Sequence, residues 1–151
     1  MFRGFDELNM DAKGRIGLPT RYHERVLAEC EGQFVVTVDI REHCLVLYPL
    51  PEWEAIEAKL DQLPSSLPAS AMLKRRLIGY ATEINTDATG RLLLSPELRA
   101  FAGLEKSVVL AGQGKKCEVW SKPAWDAMQA KAMAADFSAP DLASAIDHLA
   151  L

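Results

Sequence analysis

The chain lacks a long hydrophobic run, a cysteine framework and an excess of positive charge. Its apolar stretches are short, Phe34-Val35-Val36 and Leu45-Val46-Leu47-Tyr48 being typical, and fall well below the ~20 residues that cross a bilayer. The amino terminus, Met1-Phe2-Arg3-Gly4-Phe5-Asp6-Glu7, shows no basic region followed by an apolar stretch, so no signal peptide is expected and a cytoplasmic location is. The 3 cysteines, Cys30, Cys44 and Cys117, are odd in number and lack Cys-x-x-Cys spacing. That argues against a disulfide framework or a structural zinc site. Cys44 and Cys117 are flanked by strand-like residues and are expected in or near the core. With 17 Lys+Arg against 21 Asp+Glu, the net charge is −4, which speaks against a uniformly basic nucleic-acid binder. A local basic patch stays open, because binding responds to the field at the contact surface rather than to the total.

Signatures of catalysis are scarce as well. His43 and Cys44 are adjacent, so on a strand they point to opposite faces and form no dyad. His23 and His148 have no cysteine or histidine at metal-ligand spacing. Gly112-Gln113-Gly114-Lys115-Lys116 lacks both the four-residue gap and the Ser/Thr of a phosphate loop, and a hairpin turn explains it. No enzyme, metal, cofactor or small-molecule substrate is expected.

What is present is a duplication. Asn9-Met10-Asp11-Ala12-Lys13-Gly14-Arg15-Ile16 returns as Asn85-Thr86-Asp87-Ala88-Thr89-Gly90-Arg91-Leu92, an offset of 76 residues. Leu47-Tyr48-Pro49-Leu50-Pro51-Glu52-Trp53 returns as Val119-Trp120-Ser121-Lys122-Pro123-Ala124-Trp125, an offset of 72. Two copies are too few for a solenoid and fit two similar halves packed about a pseudo-twofold axis. The expected organisation is a first repeat over 1–63, a connecting segment and helix over 64–79, a second repeat over 80–134 and an acidic helical tail over 135–151.

Each half reads alike. A short strand enters, turns at Asp-Ala-x-Gly-Arg and leaves as Arg15-Ile16-Gly17-Leu18 or Arg91-Leu92-Leu93-Leu94. Pro19 and Pro96 mark helix starts, with short helices predicted over 20–27 and 97–101. Strand pairs follow over 33–38 with 44–48, and over 107–111 with 116–120. A proline-opened helix closes each half. Trp53, Ile56, Leu60 and Leu63 share one face, repeated more weakly by Trp125, Met128 and Ala132. The two tryptophans read as core or subunit-contact anchors rather than base-stacking platforms. After the break at Pro64-Ser65-Ser66-Leu67-Pro68, residues 69–78 read as a helix with Leu73 and Leu77 inward. Its basic run, Lys74-Arg75-Arg76, is a secondary candidate for phosphate contact or a solvated face.

The turn itself has a physical reading. Asp suits the first position of a type I turn, where its carboxylate caps backbone amides, and Gly suits the fourth, where φ is positive. A three-residue hairpin loop with a bulge at the glycine is therefore expected. Asp11 and Asp87 fix the turns, and Gly14 and Gly90 permit them. The turn does not require the arginine that follows. Arg15 and Arg91 are either solvated or ion-paired to Asp11 and Asp87, or they serve recognition, since a planar guanidinium fork suits phosphate and guanine equally.

The opening Met-Phe-Arg-Gly, the two Asp-x-x-x-Arg turns, the Leu-Tyr-Pro-Leu-Pro-Glu-Trp segment and Gly-Arg-Leu-Leu-Leu together resemble the MraZ family, bacterial transcriptional regulators with two tandem SpoVT/AbrB-like domains. The likeness runs in order over essentially the whole chain. It implies an α+β, mainly β fold, namely an AbrB-like swapped-hairpin β-barrel built from two β-α-β-β repeats with flanking helices. It also implies a ring-like homo-oligomer that binds double-stranded DNA at repeats upstream of its own division and cell-wall operon, with a nucleoid-associated location. The family motif falls on Asp11 with Arg15 and on Asp87 with Arg91, and the resemblance ties DNA contact chiefly to the first copy. Lys13 in the first turn against Thr89 in the second agrees. Arg3, and beyond it Arg21 and Arg25, are further candidates for phosphate contact near that edge. An antitoxin-like protein-interaction module of the same fold is the alternative, because fold alone does not decide between the roles.

Overall fold

The computed structural model describes residues 1–151. The first half runs β1 (Phe5–Asn9), β2 (Arg15–Gly17), α1 (Thr20–Cys30), β3 (Gln33–Val38), β4 (Leu45–Pro49) and α2 (Leu50–Asp61). After α3 (Pro68–Leu77) come β5 (Thr82–Asn85), β6 (Arg91–Leu93), α4 (Pro96–Ala102), β7 (Ser107–Gly112), β8 (Cys117–Ser121) and α5 (Lys122–Ala134), and then α6 (Pro140–Asp147). The class is α+β with antiparallel strand pairing throughout. Counted strand by strand, each repeat is β-β-α-β-β-α rather than β-α-β-β. The strands entering and leaving each Asp-Ala-x-Gly turn belong to different sheets, and each repeat closes with its own helix.

Strands are exchanged between the halves. The 6-stranded sheet has the order β1-β7-β8-β4-β3-β5, so β1 pairs with a strand of the second repeat and β5 with a strand of the first. The remaining two strands, β2 and β6, pair with each other. Both central registers are self-complementary about the duplication. Ile16 lies opposite Leu92 in the ribbon, and Val46 opposite Glu118 where β4 meets β8. These are equivalent positions at offsets of 76 and 72, so one pseudo-twofold axis passes through both centres.

The core follows from this exchange. A single cluster of 20 buried residues draws Ile16, Tyr22, Val26, Phe34 and Leu47 from the first repeat and Leu92, Leu98, Leu110 and Val119 from the second. A smaller cluster, Cys44, Val109 and Trp120, lies under Trp125 and Met128 of α5. Strand β3 is buried at 5 of its 6 positions, as befits a strand covered on both faces. All three cysteines are buried and unpaired.

Helix α1 extends to Cys30, three residues past the expected end, because Tyr22, Val26 and Cys30 continue one buried stripe at a spacing of four. Glu31 then ends it in the left-handed region (φ 55°), its N–H donating to the Leu27 carbonyl and that of Gly32 to the Val26 carbonyl. Ser95 and Ser121 cap α4 and α5 by accepting from Leu98 and Ala124 amides, each at 3.3 Å. On α3, Leu73 and Leu77 are only half-buried and Ser70 is the buried residue, so this connector packs more loosely than its pattern predicts. Helices α5 and α6 bury no residue completely.

Because the halves share their strands and core, they should unfold together. Leu92→Ala removes a fully buried side chain from the ribbon centre and is expected to cost about 2–5 kcal/mol. Urea denaturation followed by hydrogen exchange should show one transition for amides of both repeats. Separate transitions would contradict the shared core.

Candidate nucleic-acid interface

The two Asp-Ala-x-Gly-Arg segments fold almost identically. In the first, the Gly14 amide donates to the Asp11 carbonyl at 3.0 Å and the Asp11 amide to the Arg15 carbonyl at 3.0 Å. Asp87, Gly90 and Arg91 repeat both bonds at 3.0 and 2.9 Å. Gly14 and Gly90 have φ of 90° and 79°, in the region that a side chain strains to enter. The expected type I turn with a left-handed glycine is thus present. The continuing hairpin is not, because the aspartate carboxylate intervenes. Asp11 Oδ1 accepts the Arg15 and Lys13 amides at 2.9 and 3.0 Å, and Asp87 Oδ1 accepts those of Arg91 and Thr89, both at 2.9 Å. With the arginine amide bonded to a side chain rather than across a ladder, β1 and β2 separate and join different sheets.

The second carboxylate oxygen holds the arginine. Asp11 Oδ2 accepts from Arg15 Nε at 2.6 Å, and Asp87 Oδ2 accepts from Arg91 Nε at 2.9 Å. The ion-paired reading of the arginines is therefore correct as far as it goes, and it leaves the recognition reading intact. A guanidinium has five N–H donors. Only Nε–H is engaged here, so Nη1 and Nη2 remain without a protein partner. The aspartate fixes the direction of the fork and leaves its far edge open.

The ribbon then sets the two arginines together. In β2, Arg15 and Gly17 flank buried Ile16, and in β6, Arg91 and Leu93 flank buried Leu92. Alternation puts Arg15, Gly17, Arg91 and Leu93 on the outer face. The register places Arg15 opposite Leu93 and Gly17 opposite Arg91, so the arginines lie on a diagonal of one face with a turn at either end. Lys13 and Thr89 are exposed on those turns. Sequence reasoning found these residues but not their common face, which depends on β2 pairing with β6.

Other candidates fall elsewhere. Arg3 is exposed, but it sits at the far end of β1, a strand length of roughly 17 Å from the first turn. Its carbonyl accepts from the Tyr22 hydroxyl and from Arg21 Nη2. Arg21 is engaged by Asp6 through two bonds of 2.8 and 2.5 Å, and Arg25 donates to the Met1 carbonyl at 3.0 Å. These three form a separate basic edge. Lys74, Arg75 and Arg76 lie in the last turn of α3, where cations complement the helix dipole, and Arg76 sits 5.6 Å from the Phe101 ring centre. Trp53 is buried beside Tyr48, while Trp125 is half-buried between Phe5 and Trp120, so neither ring is free to stack on a base.

Two residues outside the sequence-derived set touch the turns. A Cβ on Gly14 would lie 2.7 Å from Arg99 Nε, and one on Gly90 would lie 2.6 Å from His23 Nε2. Each helix therefore supports the turn of the opposite repeat. The signal was latent in the sequence, since His23 and Arg99 are separated by the repeat offset of 76.

Away from the ribbon, Asp39, Cys44 and Glu118 bring ligand atoms within 4.8 Å of one another. Burial pushes the Cys44 thiol well above its ordinary value, which keeps it protonated and a poor metal ligand. Asp39 caps the Arg41 and Glu42 amides, and Glu118 accepts from the Trp120 indole.

The turns carry a testable acid signature. The Arg15 amide bonded to Asp11 and the Arg91 amide bonded to Asp87 are the largest influences holding both carboxyls below their ordinary value of 3.8. A carboxylate whose folded value is depressed contributes stability above its unfolded value and loses it as pH falls through the folded one. Carboxyl-carbon NMR should therefore give midpoints below 3.8 for both residues, with the turns opening only in stronger acid. Ordinary midpoints would contradict the clamp.

Both repeats of the chain are similar to known proteins. The family model described as "MraZ protein, putative antitoxin-like" matches twice, over residues 1–76 and 77–147. A protein named Transcriptional regulator MraZ from Halorhodospira halophila is 51% identical over 144 residues, covering 93% of this chain and 95% of its own. Proteins of the same name from Mannheimia succiniciproducens and Coxiella burnetii are 54% and 52% identical over 127 and 126 residues. They cover 84% and 83% of this chain, and the same shares of their own. With both repeats matched and relatives this similar along most of its length, the chain belongs to the MraZ family, a family of transcriptional regulators and not of enzymes.

Proposed function

We propose that the chain is a sequence-specific DNA-binding regulator that acts as a ring-like homo-oligomer on repeated sites upstream of its own division and cell-wall operon, in association with the nucleoid. The observation that carries this reading is the outer face of the β2–β6 ribbon, where Arg15 and Arg91 are each oriented through Nε and keep their terminal nitrogens unbonded. Such a fork reads guanine O6 and N7 or grips a phosphate. In this reading Arg15 meets base edges, Lys13 meets backbone phosphate, and Asp11 and Gly14 hold the turn that presents them. Arg91, held by Asp87, contributes a second fork, and Arg3 contacts phosphate from the separate edge at the start of β1. The strand exchange supports the swapped-hairpin description of the fold, with the barrel closed by both repeats.

One ribbon offers few contacts, so useful affinity calls for several subunits engaging spaced repeats at once, each raising the effective concentration of the next. The net charge of −4 is no obstacle, because binding responds to the local field, which Arg15 and Arg91 set on one face of the ribbon, and in this reading the acidic tail over 135–151 faces away from DNA. An antitoxin-like role, with a protein as the main partner, draws on the description of the family model and on exposed Phe137 and Leu149 around α6.

Fluorescence anisotropy with the duplex upstream of the chain's own gene, against a scrambled duplex, separates the two. Selective binding should weaken with salt by a log–log slope of about −0.9 per phosphate engaged. Arg15→Ala should remove the selectivity while leaving the fold intact, because Asp11 still caps the Lys13 and residue-15 amides. Absence of selective binding by folded, oligomeric protein would overturn the DNA reading in favour of the protein partner.

A further inference from the structure

The two turns differ most in what lies beneath them. The Arg99 guanidinium packs against Gly14, its Nε and Cζ standing 2.7 and 2.8 Å from where a Cβ would be, and Gly14 is buried as a result. Nε donates to the Leu94 carbonyl at 3.2 Å. Nη1 and Nη2 have no hydrogen-bond partner, and no carboxylate lies within ion-pair distance of Arg99. Under the second turn the equivalent position holds His23, whose Nε2–H donates to the Leu18 carbonyl at 2.8 Å. There the glycine is only half-buried, and a cleft of about 180 Å³ opens between His23, Leu27, Thr86 and Asp87.

A structural prop alone does not call for an unpaired cation. The imidazole beneath Gly90 makes the equivalent hydrogen bond, to Leu18, that Arg99 makes to Leu94. A half-buried guanidinium whose two terminal nitrogens have no protein partner keeps donors available to an anion. It lies against the turn that also carries Lys13, and next to the strand that begins with Arg15. The first turn therefore gathers three cations from two repeats, whereas the second has Arg91 and an imidazole.

We propose that Arg99 of the second repeat completes the first repeat's turn as a composite backbone-phosphate site beside the base-reading Arg15, with Lys13 supplied by one half of the chain and Arg99 by the other. This rests on the DNA reading above and specifies it. The phosphate grip of the first turn is built only when the repeats are interlocked, and the two turns are unequal partners for DNA because α1 offers an imidazole where α4 offers a guanidinium.

The test compares wild type, Arg99→Gln and Arg99→Lys for binding to the upstream duplex across a salt series, with the melting temperature of each. Arg99→Gln should melt with the wild type, lose affinity roughly tenfold at near-physiological salt, and show a log–log salt slope shallower by about 0.9 for each engaged turn, with its preference over scrambled duplex kept. Arg99→Lys keeps the charge and should restore the slope. Wild type that binds with an unchanged slope in Arg99→Gln overturns the composite site and leaves the DNA reading standing. Loss of affinity in step with melting temperature in both variants also overturns it, by making Arg99 a prop. Wild type that binds no duplex sinks the DNA reading and this site with it.

Discussion

Strands β2 and β6, 3 residues each, tie the repeats together where neither has another partner. Ile16 and Leu92 face one another there, both essentially inaccessible to water. Their burial holds the ribbon against the core, while the same alternation turns Arg15 and Arg91 outward. Beyond the ribbon, the Leu18 amide donates to the Gly90 carbonyl and the Leu94 amide to the Gly14 carbonyl, so each departing strand is bonded to the opposite turn. Core packing, strand exchange and display of the arginines thus depend on one short pairing.

The aspartates make that pairing possible. By taking the arginine amide with one oxygen and the guanidinium Nε with the other, Asp11 and Asp87 both end the hairpin and aim the fork. Surface ion pairs contribute little to stability, so the pair matters chiefly for orientation. A guanidinium aimed in advance loses less freedom on contact with a base or phosphate. The same device also lets an acidic chain present a cationic edge, because each aspartate occupies a single donor and leaves the outward edge of the guanidinium open.

Much of this was legible along the chain. The duplication, the turn chemistry, the antiparallel β-rich class and the family likeness all rest on local residue order, and local order is what fixes a type I turn at Asp-Ala-x-Gly or a helix after proline. Boundaries drifted where packing took over, as at α1, which runs on to Cys30 because the core accepts another turn of its stripe. The looser burial of Leu73 and Leu77 on α3 is the converse case. Arg3, near the motif in sequence, was carried away from it by the length of an extended strand.

Which strand meets which is settled by packing. Nothing in the order of residues says that β1 seeks β7, that β5 seeks β3, or that β2 and β6 meet each other, because pairing between distant segments depends on the shared core and not on neighbours in sequence. The common face of Arg15 and Arg91, and the placing of His23 and Arg99 beneath turns from the opposite repeat, follow from that exchange. Local residue order specifies which side chains can bind an anion and which turns present them. The fold decided which of them act together, since only burial of both repeats in one core brings side chains 76 or more residues apart onto the same surface.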